Sequence, residues 1–203
     1  MFIGKYNKSV ILTYLGVAFA IFGMHLALQG EFKYSMICLV VAGVCDLFDG
    51  KVARMCKRTE DEKLFGIEID SLADMVGFVV FPVVFGYSLG LHEWYHILGY
   101  ILLVLAGITR LGYFNISVCN TNRDKPVKHY SGLPVTTTSM IVPIVYLVSK
   151  VLSQDAYYIL YTVVMYLVAF LFVFNFKLPK PKGIAYPILG VIGVVGVILL
   201  FVL

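Results

Sequence analysis

Four aspartates sit where a membrane-spanning chain would ordinarily carry none. Asp46 and Asp49 lie near the end of one apolar run, and Asp70 and Asp74 lie near the start of the next. An ionised carboxylate at bilayer depth costs about 2.5–3.5 kcal/mol on the insertion scale, so such residues mark functional sites. In a helix, positions three and four apart share a face. Asp46, Asp49, Gly50 and Ala53 therefore form one stripe, and Gly66, Asp70, Ala73 and Asp74 form a second. Turned towards each other, the stripes offer four carboxylates around a cavity walled by glycine and alanine. Such a cluster repels itself unless cations neutralise it. An all-oxygen donor set suits Mg²⁺, Mn²⁺ or Ca²⁺ better than Zn²⁺. Four carboxylates can bridge two ions, and an ion pair clamps the attacking and leaving oxygens of an in-line phosphoryl displacement. Gly50 and Gly66 allow a flat or phosphorylated ligand close to the backbone.

Two other uses of the aspartates stand beside this one. They could pair with Lys51, Arg54, Lys57 and Lys63 as interfacial ion pairs, which accounts for one or two of them but not for two facing stripes. They could also coordinate a transported cation, although transport sites lie near the midplane and often in broken helices. The four cysteines (Cys38, Cys45, Cys56, Cys119) show no metal or disulfide spacing and read as packing residues. His25, His92 and His96 have aromatic neighbours and read as interfacial residues, and His129 as a loop histidine.

The elements that must carry these residues are transmembrane helices. Of the 203 residues 60% are hydrophobic and 14% charged, well above the roughly 45–50% apolar content of soluble domains. Apolar runs recur near residues 8–28, 33–56, 66–90, 94–117, 134–152, 156–176 and 184–203. These predict an all-α integral membrane protein of about seven helices, forming one domain over 1–203. The first run lacks a cleavage pattern and reads as a retained helix. Open β-structure is excluded at this depth because its backbone edges would go unsatisfied. With the N-terminus in the cytoplasm, all but Lys33 and Lys150 of the sixteen lysines and arginines fall on the inner side. That orientation predicts a multi-pass protein of the cell membrane with an outer C-terminus. It puts the aspartates at the cytoplasmic surface. A net charge of +4 then reports orientation and gives no reason to expect a nucleic-acid partner.

The arrangement Asp46-x2-Asp49-Gly50-x2-Ala53-Arg54, followed by Gly66-x3-Asp70-x3-Asp74, resembles the signature of the CDP-alcohol phosphotransferases. Every signature residue is present. The eleven residues between Arg54 and Gly66 exceed the family's usual spacer, and the extra length is expected in a longer interhelical loop. The resemblance implies a six-helix core over about 8–176 with an additional C-terminal helix over about 184–203. It implies cleavage of the pyrophosphate of a CDP-linked lipid, transfer to an acceptor hydroxyl and release of CMP. By motif position Asp46, Asp49, Asp70 and Asp74 would hold metal, expected as two ions of Mg²⁺ or Mn²⁺. Asp74 would also be the general base. Asp49, Gly50, Ala53, Arg54 and Gly66 would line the CDP site.

The flanking residues narrow the resemblance. Residues 65–74 with Phe81-Pro82, the run 110–115 and Gly132-Leu133-Pro134 look like the corresponding motifs of bacterial and archaeal phosphatidylserine synthases. Tyr113 stands where an arginine is common, and Thr13 and Gly16 echo a first-helix motif. The partners this implies are CDP-diacylglycerol, L-serine, membrane lipid and a second copy of the chain. Arg110 is a candidate for the serine carboxylate, since its planar fork suits bidentate recognition, and Asn115 for a further polar contact. The alternative acceptors, glycerol 3-phosphate or an inositol phosphate, would call for a denser basic cluster than Arg110 alone supplies.

Overall fold

A computed structural model describes residues 3–120 and 129–179. Helix α1 (Val10–Leu28) is followed by α2 (Phe32–Met55) and α3 (Glu60–Asp74). A π-helical turn, Met75–Val80, joins α3 to α4 (Phe81–Ser88), so that residues 60–88 form one rod. Next come α5 (Trp94–Asn120), β1 (His129–Ser131), a 3₁₀ turn (Val135–Thr137), α6 (Thr138–Val148), α7 (Gln154–Val173) and β2 (Lys177–Pro179). The two short strands pair antiparallel, His129 opposite Pro179. Glycines with φ of +81° and +83°, Gly30 and Gly90, end α1 and α4 at the left-handed conformation that other residues resist.

Among the described residues, four helices are long and apolar enough to cross a membrane: Val10–Leu28, Glu60–Ser88, Trp94–Ile116 and Gln154–Val173. These helices are apolar on both sides. Phe81, Phe85, Leu103 and Met165 are buried, whereas Ile11, Phe22, Leu105, Val163 and Phe170 point outward. A helix apolar all round belongs in lipid or in the core of a large protein. The run expected to span at 134–152 is a shorter apolar helix, Val135–Val148. The span expected at 184–203 lies outside the described residues.

The polar spacer differs from the sequence expectation. Only Cys56–Thr59 is loop, and the remaining extra residues add turns to the start of α3. The cause is local. Thr59 and Glu62 form a capping box, with Glu62 N–H donating to Thr59 Oγ1 at 3.3 Å and Thr59 N–H to Glu62 Oε2 at 2.7 Å. Glu60, Asp61 and Glu62 place negative charge on the positive end of the helix.

Lipid gives helices no hydrophobic reason to associate, so close packing through small residues holds them together. Thr13, Gly16, Ala20, Gly23 and Ala27 run down the side of α1 that faces α2 and the rod. A Cβ on Gly23 would stand 2.8 Å from both Cys38 Cβ and the Phe81 ring, and one on Gly107 2.8 Å from Val79. On α2, Gly43 admits the Ser139 side chain of α6. These contacts fix the level at which α1, α2 and the rod meet.

Candidate metal and nucleotide site

The two acidic stripes face each other as their helical phase requires. Carboxylate oxygens of Asp46, Asp49 and Asp70 all lie within 4.8 Å of one another. Asp46 is within hydrogen-bonding reach of Asp74, and Asp49 of Asp70, so each aspartate of α2 meets one from α3. Asp49 is buried and the other three are half-buried. Carboxylates this close cannot all remain ionised without a cation or proton between them. A hard divalent ion with oxygen ligands at about 2.0–2.6 Å spans such a gap with little rearrangement. The donor set therefore fits a metal, and the residues that would hold it are Asp46, Asp49, Asp70 and Asp74.

A small recess adjoins the carboxylates, lined by Thr13, Gly16, Asp46, Asp49, Asp74 and Gly77 among others. Helix α1 contributes more than the spacing of its residues announces. Thr13 Oγ1 donates to Asp49 Oδ2 at 2.8 Å, which orients a metal-competent carboxylate from a third helix. Gly16 lets α1 approach α2 here, since a Cβ would stand 3.3 Å from Cys45 Cβ. The motif echo at Thr13 and Gly16 was the available signal, but a lone threonine in an apolar run does not disclose which carboxylate it meets.

The motif glycines behave unlike those at the helix interfaces. A Cβ on Gly50 would have Arg54 Nη1 as its nearest neighbour, at 3.7 Å, and one on Gly66 would have Arg58 Nη1, at 3.8 Å. Both are ordinary contacts, so packing within the chain does not require either glycine. Each glycine surface is flanked by a guanidinium instead. Arg58, not singled out by its sequence position, comes from the Cys56–Thr59 loop, which Asn7 Nδ2 ties down through the Lys57 carbonyl at 3.2 Å. Ala53 lies in the last turns of α2, and Arg54 is exposed beyond it.

Among the basic residues named as possible partners for the aspartates, Lys63 pairs with Glu60 at 3.0 Å and Lys51 lies over the Phe48 ring. Arg110 is buried, donates from Nε to the Leu133 carbonyl at 3.0 Å and sits 6.0 Å above the Phe114 ring. It is therefore not a snorkelling surface residue. Asn115 lies against α3, accepting from Ser71 Oγ at 2.8 Å and donating to Glu68 Oε2 at 3.4 Å. The four aspartates of the signature lie together, whereas Arg110 and Asn115 are held by neighbouring elements. Three of the histidines have aromatic neighbours: His25 stacks on Phe22, and His92 and His96 lie at a tilt to Tyr87 and Tyr95.

The model of the family described as CDP-alcohol phosphatidyltransferase matches residues 6–198. The chain is 35% identical over 121 residues to a CDP-diacylglycerol–serine O-phosphatidyltransferase of Saccharomyces cerevisiae, covering 57% of this chain and 43% of that protein. It is 29% identical over 174 residues to an archaetidylserine synthase of Methanothermobacter thermautotrophicus, covering 85% and 70%. It is 35% identical over 123 residues to a CDP-diacylglycerol–serine O-phosphatidyltransferase of Helicobacter pylori, covering 59% and 49%. The matches thus span about half the length of the S. cerevisiae and H. pylori relatives. No solved structure matches the chain at a significant level.

Proposed function

The chain belongs to the CDP-alcohol phosphatidyltransferase family, and from that membership we propose that it transfers the phosphatidyl group of CDP-diacylglycerol to L-serine. The observation that carries this reading is the four-carboxylate cluster built from the complete family signature on α2 and α3. The acceptor follows from the relatives named for serine transfer. In the reaction the serine hydroxyl oxygen bonds to the phosphatidyl phosphorus. The bond from that phosphorus to the bridging oxygen breaks, and CMP leaves with the oxygen. Asp74 takes the hydroxyl proton as general base, the role its position beside the other carboxylates favours.

Asp46, Asp49, Asp70 and Asp74 hold the metal, for which we propose two ions of Mg²⁺ or Mn²⁺. When bound, the ions neutralise pyrophosphate charge and stabilise the leaving oxygen. Asp49, Gly50, Ala53, Arg54 and Gly66 receive the CDP moiety, with Arg54 supplying charge-assisted hydrogen bonds to phosphate. We assign recognition of the acceptor to Arg110 and Asn115. Support for Asn115 is its contact with Ser71, the residue after Asp70.

The proposed topology has seven crossings of the cell membrane, the N-terminus and active site on the cytoplasmic face, the C-terminus outside, and a homodimer as the assembly. The distribution of lysine and arginine supports the orientation.

The test is CMP release from CDP-diacylglycerol by the purified protein, with L-serine, glycerol 3-phosphate or an inositol phosphate as acceptor. Release and phosphatidylserine formation with serine, dependent on added Mg²⁺ or Mn²⁺, is the expected result. No product with serine overturns the acceptor assignment. Asp74→Asn is expected to lower kcat by about 10²-fold or more, as loss of a general base does, while CDP-diacylglycerol binding largely survives. A wild-type rate in that variant overturns the base assignment.

A further inference from the structure

Thr136, Thr137 and Thr138 open the fifth apolar run, and the hydroxyls of the last two are committed in different ways. Thr137 Oγ1 donates to Pro134 O at 2.6 Å, which closes the local turn. Ser139 Oγ likewise donates to Thr136 O at 2.7 Å. Thr138 reaches across to another element. Its Oγ1 is fully buried and donates to the carbonyl of Phe78 at 2.6 Å, with Val135 O at 2.9 Å as a local alternative for the single proton.

Phe78 lies in the π turn Met75–Val80, which begins at the residue after Asp74. Isolated π turns inside α-helices are uncommon and occur frequently at functional sites. The sequence supplies the cause of this one. Pro82 has no N–H, and its ring crowds the carbonyl four residues earlier, which belongs to Phe78. Widening the turn ahead of the proline relieves that crowding, and the missing Pro82 N–H leaves the Phe78 carbonyl without an α-helical donor. Thr138 supplies a donor. A second buried hydroxyl, on Tyr161 of α7, donates to the carbonyl of Pro82 itself at 2.6 Å. The rod is thus held on both sides of its irregular turn by side chains from α6 and α7. Gly77 and Phe78, inside that turn, line the same recess as Asp74.

We propose that Thr138 is a positioning residue for Asp74: its hydroxyl fixes the π turn through the Phe78 carbonyl and so sets where the carboxylate stands against the acceptor hydroxyl. The proposal rests on the reading of Asp74 as the general base. It requires Thr138 to touch neither substrate. A displacement of about 1 Å in a reacting group can cost about 10²-fold in rate, so a distant hydrogen bond of this kind is visible in kcat.

The experiment compares Thr138→Val, which keeps the shape and removes the hydroxyl, with Thr138→Ser, which keeps the hydroxyl. Tyr161→Phe is the control, because it cuts the tie on the far side of the turn from Asp74. Each is assayed for CMP release with whichever acceptor the wild type uses, and for thermal unfolding in detergent. Thr138→Val is expected to lower kcat by about tenfold or more, with KM for CDP-diacylglycerol within about twofold, the pattern of a lost transition-state interaction. Thr138→Ser is expected to restore kcat. Tyr161→Phe is expected to lose stability as Thr138→Val does while keeping kcat. If Thr138→Val does not yield folded protein, Thr138→Ala is read in the same way. A wild-type kcat without the hydroxyl overturns the proposal, and so does a kcat that falls only in step with stability across all variants. A wild type that releases no CMP with any acceptor overturns the proposed function itself and takes this inference with it.

Discussion

Gly50 and Gly66 separate two reasons for a helix to carry glycine. Gly107 is occupied from within, because Val79 stands where its Cβ would be. Gly66 has only the tip of Arg58 near it, at van der Waals distance. Alanine in a helix interior is favoured over glycine by roughly 0.5–1 kcal/mol. Gly66→Ala should therefore unfold no more readily than wild type, or less readily, while its KM for CDP-diacylglycerol rises about tenfold, or ~1.4 kcal/mol. Gly107→Ala should reverse the pattern, losing thermal stability through overpacking with little change in KM. Thermal unfolding and steady-state kinetics on both variants check the contrast. Thr13 makes a second case. It donates to Asp49, a proposed metal ligand, so Thr13→Val should raise the Mn²⁺ concentration for half-maximal activity about tenfold, the usual scale for losing a partner of a metal ligand. A metal titration of the two proteins measures it.

At the scale of elements, the start of α3 is set by chemistry unrelated to the site. The Thr59–Glu62 capping box and three acidic residues turn what reads as loop into helix. Thr59→Ala should cost about 1 kcal/mol of local stability. Faster amide exchange over residues 60–64 should report it, with turnover per folded molecule unchanged because Asp70 lies more than two turns further along. The rod that α3 begins is interrupted by the π turn, which neither periodicity nor propensity discloses. Pro82 in the sequence marks a disturbed turn. The hydroxyl that holds the Phe78 carbonyl inside it comes from Thr138, 60 residues away.

For the whole molecule, the helices are apolar on their outward faces, while one end carries the aspartates and the basic loop. This asymmetry has a direct test. With the four native cysteines replaced by alanine and a membrane-impermeant thiol reagent, Lys57→Cys should label only in inverted vesicles and Lys33→Cys only in right-side-out ones. The opposite pattern reverses the orientation. Membership in a family of transferases also gives the aspartates a use that cation transport does not, since transport offers no role for Arg54 or the motif glycines Gly50 and Gly66.

Much of this protein was legible in its sequence, because the chemistry is compact in the chain. Eight signature positions fall on two consecutive helices, and the period of 3.6 residues is enough to aim Asp46 and Asp49 at Asp70 and Asp74. Composition alone required a helical membrane protein, because lipid leaves the backbone no other way to satisfy its hydrogen bonds except a closed barrel. What only the tertiary structure decided involves partners far apart along the chain. Thr13 meets Asp49 across 36 residues, and Arg110 is drawn to the Leu133 carbonyl across 23. The Phe78 carbonyl is captured by Thr138 across 60. A hydroxyl or guanidinium in an apolar run must find an acceptor, and the sequence says as much. Which acceptor it finds is set by how closely the small-residue faces let the helices approach.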